Sequence, residues 1–199
     1  MCGRYYIDDG TADEIEALLE ELDGTNRFWR ITGDICPSNY AVVLTHTPLG
    51  IGADLKRWGF RGWDGKGLVI NARAETAAEK AMFRESVRSR RCVVPASGFY
   101  EWNREKEKFT FFLPEKRTMF FAGVYRRFQE DEEDRYVILT TGANASMEPV
   151  HPRMPLILDR KDAERWLADE RGVEQILAGE PEALRREAEY EQIRLPFLE

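Results

Sequence analysis

The chain has 199 residues, 43% hydrophobic and 33% charged, enough for one globular domain with a sizeable core. A net charge of −7 excludes a protein that coats nucleic acid indiscriminately, although a local basic groove is compatible with it, because contact depends on local potential. Cys2, Cys36 and Cys92 are widely spaced and odd in number, and His46 and His151 are the only histidines, so neither a disulfide framework nor a structural zinc site is expected.

The chain begins Met1-Cys2-Gly3-Arg4. The small side chain of Cys2 tolerates removal of Met1, which would leave a free α-amine beside the thiol. An amine titrating near about 8 and a thiol near about 8.5 both reach their nucleophilic forms near neutral pH. The amine condenses with an aldehyde to an imine, and the thiol then closes a five-membered thiazolidine. Cys2 is therefore a candidate aldehyde trap or N-terminal nucleophile. The plain alternative is a small apolar residue in the core. Gly3 to Ile7 reads as a strand. Thr11-Ala12-Asp13-Glu14 has the form of a capping box, Ile15, Leu18, Leu19 and Leu22 follow at helical spacing, and Gly24 is the stop.

Residues 41–44, 55–60 and 68–70 read as strands, and 74–90 as an irregular helix. Four more strands are expected at 92–100, 109–113, 119–127 and 135–141, some joined by hairpin turns, and another at 155–158. The five acids from Glu130 to Asp134 read as a solvated loop without a function. In the last third Asp159 caps a helix carrying Ala163, Trp166 and Leu167. Val173, Ile176 and Leu177 mark a second helix ended by Gly179, and Pro181 opens a third. No linker or internal repeat divides the chain. Runs of strands between flanking helices predict an α+β fold with a mostly antiparallel sheet. With no membrane-length apolar stretch and no secretory leader, a soluble cytoplasmic protein is expected.

Four segments carry more polar and aromatic groups than core strands require. The first is Cys2-Gly3-Arg4. The second is Asn71-Ala72-Arg73-Ala74-Glu75, a strand mouth or, alternatively, a helix start with Asn71 as its cap. The third is Gly98-Phe99-Tyr100-Glu101-Trp102. If Glu101 faces inward, desolvation makes it a usable proton carrier, and the flanking aromatics then face outward. The fourth is Val150-His151-Pro152-Arg153-Met154-Pro155, with an imidazole suited to proton transfer between stiffening prolines. His46, at the end of an apolar strand, is assigned no function.

In this order the four segments, together with Trp58-Gly59 and Leu139-Thr140-Thr141-Gly142-Ala143-Asn144, resemble the SRAP family of SOS-response-associated peptidases and abasic-site processing proteins. The likeness spans residues 2–158, and the region 159–199 matches less well. The resemblance implies a single α+β domain over 1–199 with a barrel-like sheet. It also implies covalent capture of abasic sites in single-stranded DNA. Carried onto this chain, Cys2 is the nucleophile and Asn71, Glu101 and His151 complete the catalytic group. Arg4, Arg73 and Arg153 would lie near the DNA backbone, and Trp58 and Trp102 near bases or sugar. His151 would assist sugar ring opening, Glu101 imine formation and its reversal, and Asn71 would fix the Cys2 end or the sugar.

No metal or organic cofactor, no membrane and no second subunit are expected. Where the family usually carries an asparagine this chain has Asp34, an acid that weakens phosphate binding if exposed, and Cys36 follows it. Three other readings stay open. One is a thiol peptidase that removes its own Met1, and another is an imine-forming lyase. The third is a damaged-DNA binding module that forms no covalent bond.

Overall fold

The computed structural model describes residues 2–23, 30–62, 65–129, 132–168 and 171–188. The first half comprises β1 (Tyr5–Ile7), α1 (Asp9–Asp23), β2 (Gly33–Ile35), β3 (Tyr40–Thr47), β4 (Gly50–Trp58), β5 (Phe60–Arg61), β6 (Leu68–Val69) and β7 (Asn71–Arg73), then α2 (Ala74–Ala77) and α3 (Arg84–Ser89). There follow β8 (Arg91–Ala96), β9 (Gly98–Trp102), β10 (Lys108–Phe112), β11 (Met119–Phe128) and β12 (Glu133–Gly142). The chain continues with β13 (Arg153–Pro155), β14 (Ile157–Leu158), α4 (Arg160–Ala168), α5 (Val173–Leu177) and β15 (Arg185–Ala188).

Five strands close on themselves in the order β12-β4-β3-β8-β11 and back to β12. All pairings in this ring are antiparallel except β12 with β4, where Arg135 lies opposite Arg57 and Tyr136 opposite Trp58. Val43, Trp58, Cys92, Val94, Phe121, Tyr136 and Ile138 belong to one buried cluster, which Tyr5 of β1 joins. Their neighbours Leu44, Val93, Ala122, Val124, Val137 and Leu139 belong to a second cluster under α1 and α4. Being covered on both faces, β8 is buried at all six positions, which is why it reads as a continuous run and not as alternation. Trp166 of α4 is fully buried, and its indole N–H donates to the carbonyls of Cys92 and Gly123 at 3.0 and 3.1 Å. Burying a side chain of that size contributes about 3 kcal/mol.

The second sheet runs β15-β10-β9-β1-β2. The expected strand 92–100 therefore splits at Ser97, its first half serving the barrel and its second this sheet. Gly98 marks the crossing, where a Cβ would lie 2.5 Å from the carbonyl oxygen of Phe111. The expected strand 55–60 breaks likewise at Gly59, whose φ of +108° lies in the region that favours glycine.

Tertiary contacts move several expected features. The α1 cap is Asp8, not Thr11: the Thr11 N–H donates to Asp8 Oδ1 at 2.8 Å, while the buried Thr11 hydroxyl accepts from Ser97 at 2.7 Å. Ile15 and Leu19 are buried as expected, and Gly24 lies outside the described residues. Pro181 opens no helix. Asn144 Nδ2 donates to the carbonyls of Pro181 and Glu182 at 2.9 and 3.1 Å, spending acceptors a first turn would use, and β15 then pairs with β10.

The acidic run is only in part a loop. Glu130 and Asp131 lie outside the described residues, but Glu133 and Asp134 begin β12. Asp134 joins Asp54 around Lys56 Nζ at 2.8 and 2.6 Å, which keeps a cation only 2% exposed in partnership. Glu133 faces Arg57 and Arg135. No helix among the described residues is long and apolar enough to cross a membrane.

Candidate functional site

Cys2 lies immediately before β1 and is fully buried. Its carbonyl accepts a hydrogen bond from Asn71 Nδ2 at 3.0 Å, and its Sγ lies 3.9 Å from the carbonyl of Arg4. Burial pushes the thiol well above its ordinary range, and the nearby Glu101 charge pushes it further. The thiol of the unmodified chain is therefore protonated at neutral pH.

Glu101 reaches Cys2 through the β1–β9 pairing. Tyr5 lies opposite Phe99, and the Tyr100 N–H donates to the Arg4 carbonyl at 2.9 Å. Glu101 then faces inward, 6% exposed, with Oε1 3.3 Å from the Trp102 N–H. Tyr100 and Trp102 face the other way, as strand alternation requires. Asn71 does not cap a helix. It stands in β7 opposite Ile138 of β12, and the position before α2 is Arg73. With Nδ2 committed to Cys2, Asn71 Oδ1 is buried without a partner among the described residues.

His151 occupies the connection between β12 and β13. Its backbone N–H donates to the Met147 carbonyl at 3.1 Å. Its Nδ1 accepts the Arg153 N–H at 3.0 Å and lies equally close to the Arg153 carbonyl. Nδ1 therefore faces one backbone donor and one backbone acceptor of the same residue, at equal distance. The adjacent Val150 packs in the same core cluster as Cys2.

The expected DNA-contacting residues divide. Arg4 is 39% exposed, 5.8 Å from the centre of the Trp102 ring, which is itself 36% exposed. Arg73 is exposed at the end of β7. Arg4 and Trp102 form a rim two residues from Cys2, and Arg73 lies two residues from Asn71, which bonds Cys2. Trp58 does not belong to that rim. It is fully buried, donates its indole N–H to the Ile70 carbonyl at 3.0 Å and stacks on Tyr136, so no base can reach its ring.

Arg153 is engaged in an ion pair. Its guanidinium grips both Glu75 carboxylate oxygens and the Thr140 carbonyl, and it holds the Glu75 carboxyl below the usual range. Asp34 is exposed and sits on the rim, 3.7 Å from Arg4 and accepting the Tyr100 hydroxyl at 3.1 Å. Its exposure is the condition under which the sequence expectation had it weaken phosphate binding. His46 is exposed on β3. Sequence reasoning gave no role to Tyr5 and Tyr136, whose buried hydroxyls meet at 2.7 Å inside the barrel. Nothing in the local pattern distinguishes them from packing aromatics.

A sequence model of the SOS response associated peptidase (SRAP) family matches residues 1–193. Abasic site processing protein YobE of Bacillus subtilis is 39% identical over 179 residues, covering 84% of this chain and 82% of that protein. Abasic site processing protein YedK of Escherichia coli is 27% identical over 184 residues, covering 85% and 81%. A crystal structure of a Bordetella bronchiseptica protein superposes with a TM-score of 0.78 at 20% identity, over 94% of this chain and 99% of that one, and shows the same fold.

Proposed function

The chain belongs to the SOS response associated peptidase family, and from that membership we propose that it processes abasic sites by covalent capture on Cys2. The observation that carries the reading is the setting of Cys2. Its main chain is held by Asn71 while its buried thiol feels the Glu101 charge.

An abasic deoxyribose opens to an aldehyde at C1′, with His151 delivering the proton its ring oxygen needs. Once Met1 is removed, the neutral Cys2 amine attacks C1′ to give a carbinolamine. Protonation of the carbinolamine hydroxyl releases water and leaves the imine. The thiol then adds to C1′, its proton ending on nitrogen, and the thiazolidine closes. Overall one water leaves, and no oxidant or cofactor enters. Glu101 moves protons at the Cys2 end, including the one that must leave a thiol so strongly protonated by burial. Closing the ring removes the aldehyde that would otherwise promote strand breakage.

The partner is single-stranded DNA, met by a monomer. Arg4 and Arg73 face phosphates and Trp102 stacks on a base, an arrangement suited to unpaired strands.

The test is the intact mass of the protein after incubation with single-stranded DNA bearing one abasic site. The expected product lacks Met1, carries the DNA mass less one water and survives without borohydride. No adduct from protein lacking Met1 would overturn the mechanism. Cleaved DNA in the same sample would then select the lyase reading, and intact bound DNA the non-covalent one. Spontaneous loss of Met1 from protein made without an aminopeptidase would add the self-processing activity.

A further inference from the structure

A late segment of the chain touches both halves of the catalytic group. Residues 181–184 run beside the connection that carries His151, and β15 follows directly in the sheet that carries Glu101. Two side chains fasten the first contact. Asn144 commits both amide hydrogens to the carbonyls of Pro181 and Glu182, at 2.9 and 3.1 Å. Its Oδ1 accepts the Ser146 N–H at 3.1 Å and the Ser146 hydroxyl at 2.6 Å. The Ser146 Oγ in turn accepts the Leu184 N–H at 2.9 Å, and Arg186 Nη1 donates to the Ser146 carbonyl at 3.4 Å. The donors and the acceptor of the Asn144 amide are all engaged, which leaves it one orientation.

The hold continues to His151 through the backbone. The N–H groups of Met147 and Glu148 donate to the Asn144 carbonyl at 3.0 and 2.9 Å, and those of Val150 and His151 to the Met147 carbonyl at 2.9 and 3.1 Å. Leu184 is buried in the cluster that holds Cys2, Met147 and Val150, so packing anchors the segment as well. On its other flank, Ala188 of β15 stands opposite Phe109 of β10, and Phe109 stands opposite Glu101 of β9. One row across three strands thus ends at Glu101.

Covering the edge of β10 requires only the backbone of β15. It does not require Asn144 and Ser146, whose side-chain bonds all lie at the His151 connection. Groups that move protons on one sugar must be held within about 0.5 Å of the productive geometry, and a group on a loop needs outside support to meet that. We propose that residues 181–188 form a strap that holds His151 in register with Glu101, and that Asn144 and Ser146, which fasten it, are positioning residues for abasic-site capture. The inference rests on the reading of His151 and Glu101 as proton carriers.

The experiment compares Asn144→Asp, Ser146→Ala and Ser146→Thr with the parent. Asn144→Asp keeps the shape but turns an oxygen toward the Pro181 and Glu182 carbonyls, and Ser146→Thr keeps the hydroxyl. Three quantities are read: amide hydrogen exchange at Val150 and His151 without DNA, the crosslinking rate at saturating abasic DNA, and the Kd for single-stranded DNA carrying a non-reactive tetrahydrofuran site. In Asn144→Asp exchange should speed up and the saturated rate should fall about tenfold, with Kd held within about twofold. Ser146→Ala should move exchange and rate the same way by less, and Ser146→Thr should return most of both.

Unchanged exchange would overturn the proposal. So would faster exchange with an unchanged saturated rate, which would leave the strap a matter of stability alone, or a loss confined to Kd. If Asn144→Asp does not fold, the two Ser146 variants decide on the same readings. His151→Gln tests the underlying reading separately. If that variant crosslinks at the parent rate, His151 carries no essential proton, while exchange still shows whether the strap holds its backbone.

Discussion

Two cysteines are equally buried in this molecule, and their surroundings could hardly differ more. Cys2 and Cys92 are both fully inaccessible, and burial raises both thiols, Cys92 to about 12. Around Cys92 are the packed walls of the barrel. A Cβ on Gly123 would lie 3.0 Å from its sulfur, and the Trp166 indole seals its carbonyl. Around Cys2 are an amide with an unused oxygen and a carboxylate. The contrast teaches that thiol acidity does not tell the two cysteines apart, since burial disfavours both thiolates. On the proposed reading, what marks Cys2 is the α-amine that removal of Met1 would free and its neighbours Asn71 and Glu101.

The sharpest break of that contrast is Cys2→Ala against Cys92→Ala. Cys2→Ala should abolish the denaturant-resistant DNA adduct while leaving non-covalent binding in place. Cys92→Ala should keep the adduct and lose about 1–2 kcal/mol of stability, read by denaturing gels and urea melts. An adduct lost with Cys92 would erase the distinction.

Next in size is Glu101→Gln, which should slow crosslinking about a hundredfold at saturating DNA. It should also move the Cys2 thiol down, because the charge that disfavours the thiolate is gone. Alkylation of Cys2 measured against pH checks the sign. An upward shift would mean that Glu101 does not face the thiol.

The smallest effect serves as a control. Asp8→Ala removes the α1 cap and should cost about 1 kcal/mol without touching the adduct. Burial works against the Asp8 carboxylate, but the Thr11 N–H and the Ser97 and Thr11 hydroxyls outweigh it and hold the group below its ordinary range. Its contribution is therefore full above the unfolded carboxylate pKa and is lost as pH falls through the folded value. Parent and variant should converge in acid, which melts between pH 7 and pH 2 would reveal.

Much of this was legible locally. Cys2, Asn71 and Glu101 stand in short segments whose polar groups exceed what core strands need, and the inward face of Glu101 follows from strand alternation. The apolar runs of β8 and β12 announced buried strands. What the pattern missed depends on partners distant in sequence. Trp58 at the end of β4 reads the same whether its ring stacks on a base or on Tyr136. Arg153 reads as a free cation until β12 brings Glu75 beside it. Thr11 has every mark of a cap, but Ser97 claims its hydroxyl. Pro181 begins a helix by local preference, and Asn144 cancels it.

The pairing of β15 with β10 has a consequence beyond completing a sheet. β15 is the outermost strand of its sheet, laid along the side of β10 that does not face β9. Without residues 185–188 that side would present a row of unmatched peptide groups, a template for joining another chain edge to edge. β15 instead offers Arg185, Arg186 and Glu187, all exposed, as the outer boundary. The late segment of the chain thus trades the aromatic edge of β10 for a charged one on the sheet that carries Glu101.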